Sequence, residues 1–205
     1  MFANFWTDIS TLMATIDPFS VIPVFIGLTH GLTPDARARV LLRAISIAFA
    51  ILFAFLIVGE LALNAMGISV DAFRIAGGIV LLLVGVKMVF AQGTPTGPGE
   101  PAGAGRDIAV FPLGMPYVAG PASIMSIVLL TENDLHSIPQ QACTLISMCI
   151  VLTVTYLVLR AATPLQRLLG ATGINVMGRI MGLVLASLAV QALVTGLKHV
   201  FLPSQ

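Results

Sequence analysis

Charge is scarce in this sequence. Asp, Glu, Lys and Arg make up only 9% of its 205 residues, against roughly 25% in a soluble domain. That is too little polar surface to hold a folded chain in water, which excludes an ordinary soluble enzyme and a disordered regulator. The ten basic residues stand against nine acidic ones and form no run, so the electrostatic footprint of a nucleic-acid binder is missing. Cysteine is confined to Cys143 and Cys149. Six residues apart on a helix, they point to different faces and cannot bridge each other; with no His or carboxylate at ligand spacing they read as small apolar fillers. Histidine is limited to His30, His136 and His199, all in or near loops, so a serine hydrolase would lack its base. One central carboxylate, Asp17, falls short of the pair an intramembrane aspartyl protease needs, and no phosphate-cradling glycine loop is present. The chain therefore reads as neither an enzyme nor a holder of metal or cofactor. Eleven Phe, two Tyr and one Trp, scattered along the chain, do not suggest the wide aromatic cavity of an exporter of large apolar compounds. A cleavable signal peptide is not expected, since Asp8 stands where a basic stretch should be and Pro18 and Pro23 interrupt the first apolar run.

What is present is apolar length. Charge-poor runs at 9–28, 44–59, 75–91, 108–131, 138–159 and 180–197 each approach the roughly 20 residues that carry a helix across a bilayer. The expected fold is all-α and integral to the membrane: six transmembrane helices forming one domain of residues 1–205. Residues 92–105, QGTPTGPGEPAGAG, read as a flexible loop between a first three-helix repeat (1–91) and a second (106–205). Arg37, Arg39, Arg43, Lys87, Arg106, Arg160, Arg167 and Arg179 fall in or beside the loops after spans one, three and five, and only Arg74 and Lys198 fall opposite. This bias predicts that those loops are cytoplasmic and both termini outside.

An odd number of spans before the loop makes the two halves cross in opposite directions, and the halves share motifs. Pro18-Phe19-Ser20 and Pro121-Ala122-Ser123 are 103 residues apart; Arg74-Ile75-Ala76-Gly77 and Arg179-Ile180-Met181-Gly182 are 105 apart. Inverted three-helix repeats are a transporter architecture, with substrate near the midplane where helices are broken. Pro18 and Pro23 are placed to break the first span; Pro112, Pro116 and Pro121 the fourth. Asp17-Pro18 and Gly120-Pro121 each look like a cap followed by a first helical residue. Each lies about a dozen residues, or 18 Å, into its span. Two helix amino ends would then meet from opposite directions, with amides and dipoles favouring an anionic group. Ser20 and Ser123 are expected to add hydroxyls, and Gly114, Ala119, Gly120 and Ala122 to leave space for a few heavy atoms. Phe19 is expected to wall the cavity or simply to pack.

Asp17 has two readings, a plain cap and a partner for an ammonium or coupling cation. Arg74 and Arg179 are expected either to anchor at the interface or to gate and pair with Asp17, Glu60 or Asp71. Gln191, Thr153 and Thr155 read as helix–helix hydrogen bonds.

These residues carry a family resemblance. Asp17 through Pro23 to Phe25 resembles the first-span motif of the MarC family of bacterial inner-membrane proteins. Phe73-Arg74-Ile75-Ala76-Gly77-Gly78 resembles its third-span opening, Ile108 through Pro112 and Pro116 to Pro121 its fourth span, and Arg179-Ile180-Met181-Gly182-Leu183 the start of its last. The resemblance implies six spans and kinship with small neutral amino acid transporters and exporters. Ser20 stands where the family usually has Gly, which narrows the space beside the break. The resulting expectation is a secondary transporter of a glycine- or alanine-like zwitterion, bound at Asp17, Pro18, Phe19, Ser20, Gly120, Pro121, Ala122 and Ser123, with a proton or sodium as coupling ion. The rival expectation is a scaffold that binds lipid or a protein partner and whose kinks serve packing. Homo-oligomerisation is left open.

Overall fold

In the computed structural model, residues 2–90, 107–132 and 138–201 are described; the expected loop at 92–105 lies outside them. Among the described residues every element is helical: α1 (Phe2–Ile16), α2 (Pro18–Leu28), α3 (Pro34–Ala65), α4 (Val70–Phe90), an irregular coil over Ala109–Val118, α5 (Pro121–Leu130), α6 (Ile138–Arg160) and α7 (Ala162–Phe201). Five stretches are long and apolar enough to cross a membrane, α1 and α2 together forming one, and the bent pair of the 109–118 coil and α5 makes a sixth. The chain is thus an all-α integral membrane protein, as its composition requires.

Local chemistry explains the boundaries. Thr33 accepts a hydrogen bond from the amide of Ala36, and Pro34 opens α3. That helix runs for 32 residues, well beyond the 44–59 core, and its first turns carry Arg37, Arg39 and Arg43. Large apolar side chains such as Leu61, Leu83, Leu168 and Phe90 are exposed, as expected of a surface that meets lipid rather than water. The expected break at Pro23 does not occur: α2 continues through it. Pro23 lines a cavity, where the carbonyl it leaves without an intrahelical partner is tolerated. Pro112 and Pro116 do interrupt the fourth span, with Phe111 (φ −135°, ψ 127°) and Met115 (φ −136°, ψ 127°) extended before them. Gly170 (φ 66°, ψ 172°) breaks the start of α7, a left-handed φ open to glycine.

Almost all helix packing runs between the two halves of the chain. α1 and α2 lie on α6 and α7, while the 109–118 coil and α5 lie on α3 and α4. α4 and α7 form the most extensive pair, and glycines permit it. A Cβ on Gly85 would stand 2.8 Å from the Ala186 amide nitrogen and the Gly182 carbonyl oxygen, and one on Gly182 would stand 2.8 Å from Met88 Cβ. These close contacts lie within one chain. Gly85→Ala is expected to lower stability by about 1–3 kcal/mol because backbone must move. Gly27→Ala, with nothing within 4 Å, should be neutral or slightly stabilising; paired thermal melts in detergent check both.

Contacts sort the ends of the helices. Arg37 joins Thr29 to Thr163 and Arg43 pairs with Asp107, which puts the 29–37, 107 and 160–163 segments at one end, called here the Arg37 end. Arg74 meets Glu132 and His199, and Asp8 meets Thr144, which gathers the starts of α1, α4 and α6 and the ends of α5 and α7 at the opposite, Arg74 end.

Candidate functional site

The first helix break is at Asp17, a left-handed residue (φ 41°, ψ 73°) between α1 and α2. Asp and Asn tolerate this region better than most side chains. Its carboxylate accepts from the Ser20 amide at 3.4 Å and from Ser20 Oγ at 2.5 Å, capping α2 while remaining buried at 6% exposure. A carboxylate accepts about four hydrogen bonds, so this cap leaves acceptor capacity over. The second break is at Gly120 (φ −86°, ψ 172°), from which α5 starts with Pro121 and without a side-chain cap. Pro121 has no amide, and the Ile124 amide donates to the Gly120 carbonyl. The amides of Ala122 and Ser123 therefore begin α5 with no cap.

The two breaks are consequently opposite in character: of the two amino ends expected to favour an anionic group, the start of α2 is already covered by Asp17, and the start of α5 has no side-chain cap. A side-chain carboxylate covers the start of α2 and makes it a negative centre. The start of α5 keeps the positive end of its dipole.

A cavity of about 440 Å³ separates them. Its wall takes Asp17, Ser20, Gly120, Pro121, Ala122 and Arg179 from the expected set. The remaining expected residues lie elsewhere. Pro18 is buried in its helix and Phe19 packs into the apolar cluster around Phe25 and Leu113. Ser123 is fully buried and donates to the carbonyls of Gly120 (3.0 Å) and Val118 (3.1 Å), so its hydroxyl closes the turn instead of facing the cavity. Gly114 is tight against Ala109, Ile47 and Ala44, and Ala119 joins the core. Space comes from the separation of the helices more than from small side chains, and exceeds the few heavy atoms expected.

Arg74 is far from the cavity. It is 6% exposed and bonds Glu132 at 2.6 Å and Asp71 at 3.2 Å, with His199 Nδ1 3.3 Å away. The Asp71 partner was legible from an i,i+3 spacing; Glu132, next to a loop, was not. Gln191, Thr153 and Thr155 bond within their own helices, to Thr195, Cys149 and Val151, and not between helices as expected. Cys143 and Cys149 are free thiols.

Lining residues that sequence reasoning missed are Thr15, Tyr117, Asn175 and Lys87. Lys87 offered a signal, being a cation near the end of a span. Asn175 stands four residues before Arg179, one helical turn away. Ile16, Val21, Val84, Met88, Ile174 and Leu185 make much of the rest apolar. Lys87, Asn175 and Arg179 lie towards the Arg37 end of α4 and α7, so the cavity extends from the breaks to that end. At the opposite end the Arg74–Glu132 pair joins α4 to the segment after α5. Gly178 of α7 lies beside Ser20, since a Cβ there would be 3.5 Å from the Ser20 hydroxyl.

A MarC family integral membrane protein model matches residues 2–201. The chain is 35% identical to a UPF0056 membrane protein of Methanocaldococcus jannaschii over 94% of its own length and 95% of the relative's. It is 31% identical to the UPF0056 inner membrane protein YhgN of Escherichia coli (91% and 92% of the two chains). To the UPF0056 membrane protein YhcE of the same organism it is 36% identical (93% and 90%). No solved structure matches the chain.

Proposed function

The chain belongs to the MarC family of integral membrane proteins, and on that premise we propose that it is a secondary transporter of small neutral amino acids. The observation that carries this reading is the pair of unlike helix breaks facing one cavity. A zwitterion matches them: its ammonium takes the spare acceptor capacity of Asp17, and its carboxylate takes the uncapped start of α5. Lys87 and Arg179 attract the carboxylate towards the cavity, and the apolar wall receives a short side chain.

The exchanged packing of the halves supports an inverted repeat. Swapping α1–α2 with the 109–118 coil and α5, α3 with α6, and α4 with α7 reproduces the main pairings. Transport then follows from one repeat moving against the other about the breaks. The excess of Lys and Arg beside the loops at the Arg37 end supports a cytoplasmic placement of that end, with both termini outside. The cavity then faces the cytoplasm of a cell whose plasma membrane holds the protein, and the ion pairs at the Arg74 end close the far side.

The test is counterflow of labelled glycine, alanine and serine into vesicles containing the purified protein. Saturable uptake at least several-fold above protein-free vesicles is expected for one or more of them. Alongside, single cysteines at Thr15, Ser20, Val24 and Tyr117, on a chain with Cys143 and Cys149 replaced, should react with a polar thiol reagent. No uptake of any of these substrates removes the substrate class; no reactive position removes the cavity and leaves a scaffold.

A further inference from the structure

A glycine inside a helix is destabilising relative to alanine, so each one asks for a reason. On α4 and α7 packing supplies it for most. A Cβ on Gly78 would stand 2.9 Å from Leu193, one on Gly196 2.8 Å from Ile75, and those on Gly85 and Gly182 2.8 Å from the facing helix. None of these positions could take a side chain without moving a neighbour. Gly178 is different. Outside its own helix, a Cβ there would meet among the described residues only the Ser20 hydroxyl oxygen, at 3.5 Å, an ordinary van der Waals separation. Helix packing therefore does not require glycine at 178. Gly27 is as uncrowded, but it stands in the last turn of α2, whereas Gly178 lies within the regular part of α7, beyond the break at Gly170.

The place of Gly178 in the bundle gives the reason. The face of α7 to which it belongs changes partner along its length. Ile174, one turn before, packs with Val21 and Phe25 of α2. Gly182, one turn after, lies against Gly85 and Met88 of α4. Leu185 packs with Leu81 of α4 and Ala122 of α5. Between these contacts α7 faces Ser20 across a gap that one carbon would close, and Gly178, Ile174, Leu185 and Ser20 all line the cavity. The Ser20 hydroxyl is bonded to Asp17 Oδ2, so the gap adjoins the carboxylate that receives the ammonium in the transport reading.

We infer that Gly178 is a specificity-determining residue: with Ser20 opposite, it forms a pocket for the substituent on the α-carbon of the substrate. The α-carbon is one bond from the ammonium, which keeps the substituent close to Asp17 and hence to this gap. The space takes a methyl or hydroxymethyl group, and a Cβ at 178 would occupy the same place. The substrate class narrows to alanine- and serine-like amino acids, with glycine leaving the pocket empty. This assignment rests on the transport reading.

The experiment compares substrates within one variant, so that a general loss of activity cancels. In vesicles holding the purified full-length protein, unlabelled glycine, alanine and serine compete against whichever labelled one of the three wild type carries best. In Gly178→Ala the concentrations of alanine and serine that halve uptake should rise about tenfold relative to that of glycine, the effect of one carbon's worth of space. Ser20→Gly, which moves the opposite wall back, should lower them relative to glycine, and the double variant should return the ratio towards wild type. A hinge at Gly178 would instead weaken all three alike. Gly178→Ala should melt no earlier than wild type. On the chain with Cys143 and Cys149 replaced, Ser20→Cys should react with a polar thiol reagent more slowly once Gly178→Ala is added. An unchanged ratio in Gly178→Ala, equal losses for all three amino acids, or no return in the double variant overturns the assignment and leaves transport standing. Labelling of Ser20→Cys at an unchanged rate removes the gap itself. No uptake of any of the three sinks the transport reading, and the assignment with it.

Discussion

Asp17→Asn is expected to reduce amino acid counterflow ten- to a hundredfold while leaving the protein folded. The two effects separate because Asp17 holds two positions at once. As a cap it accepts from the Ser20 amide and hydroxyl, and as a residue at φ 41° it occupies the left-handed region. Asn caps nearly as well as Asp and is enriched in that region, so stability should change by less than about 1 kcal/mol. What Asn removes is the negative charge, and with it a charge-assisted hydrogen bond to an ammonium of about 1.5–3 kcal/mol. At 1.4 kcal/mol per factor of ten, this sets the expected range. Asp17→Ala should lose both cap and charge and melt earlier as well. Counterflow in Asp17→Asn within twofold of wild type would show that no ammonium rests on this carboxylate.

The second large effect is at the Arg74 end. Arg74→Met should lower stability by about 3–5 kcal/mol, because it leaves Glu132 buried without its guanidinium. The double variant Arg74→Met/Glu132→Leu should recover most of that loss, since a desolvated pair replaced by apolar side chains of similar size is often neutral. The recovered protein then reports on closure. In wild type, Ser20→Cys is expected to react from the Arg37 end only; without the ion pair it should react from both. A double variant as unstable as Arg74→Met, or one with Ser20→Cys still protected from the Arg74 end, would show that the pair serves something other than holding the two halves shut there.

How far the sequence could be read follows from the range of each interaction. The spans, the caps at Asp17 and Gly120 and the Arg74–Asp71 pair depend on residues within one turn of each other, and all were visible. Arg179 reads as an interfacial anchor or a gating residue, and the repeat could not tell it from Arg74, which lies away from the cavity. The partnership of Arg74 with Glu132 was hidden, because 58 residues separate them and only packing joins α4 to the end of α5. Ser123 was misjudged for a different reason: a serine three residues into a helix can face out or bond back to the preceding turn, and the free carbonyls of Val118 and Gly120 decided it. Pro23 shows the same limit. Its ring is compatible with a break and with a continuous helix, and the adjoining cavity is what allows continuity. Lys87 and Asn175 reach the cavity through the crossing of α4 with α7, and Tyr117 through the packing of the 109–118 coil on α3 and α2; no local pattern records either arrangement.

Packing between the halves also bears on how the molecule is made. The first three spans leave the ribosome before the helices that cover them exist, and they make few contacts among themselves. Until the second half arrives, the notch at Asp17 lacks the walls that residues 116–122 and α7 supply, and its carboxylate must wait in lipid or draw in water. The newborn first half is thus an unfinished intermediate until the sixth span closes the bundle.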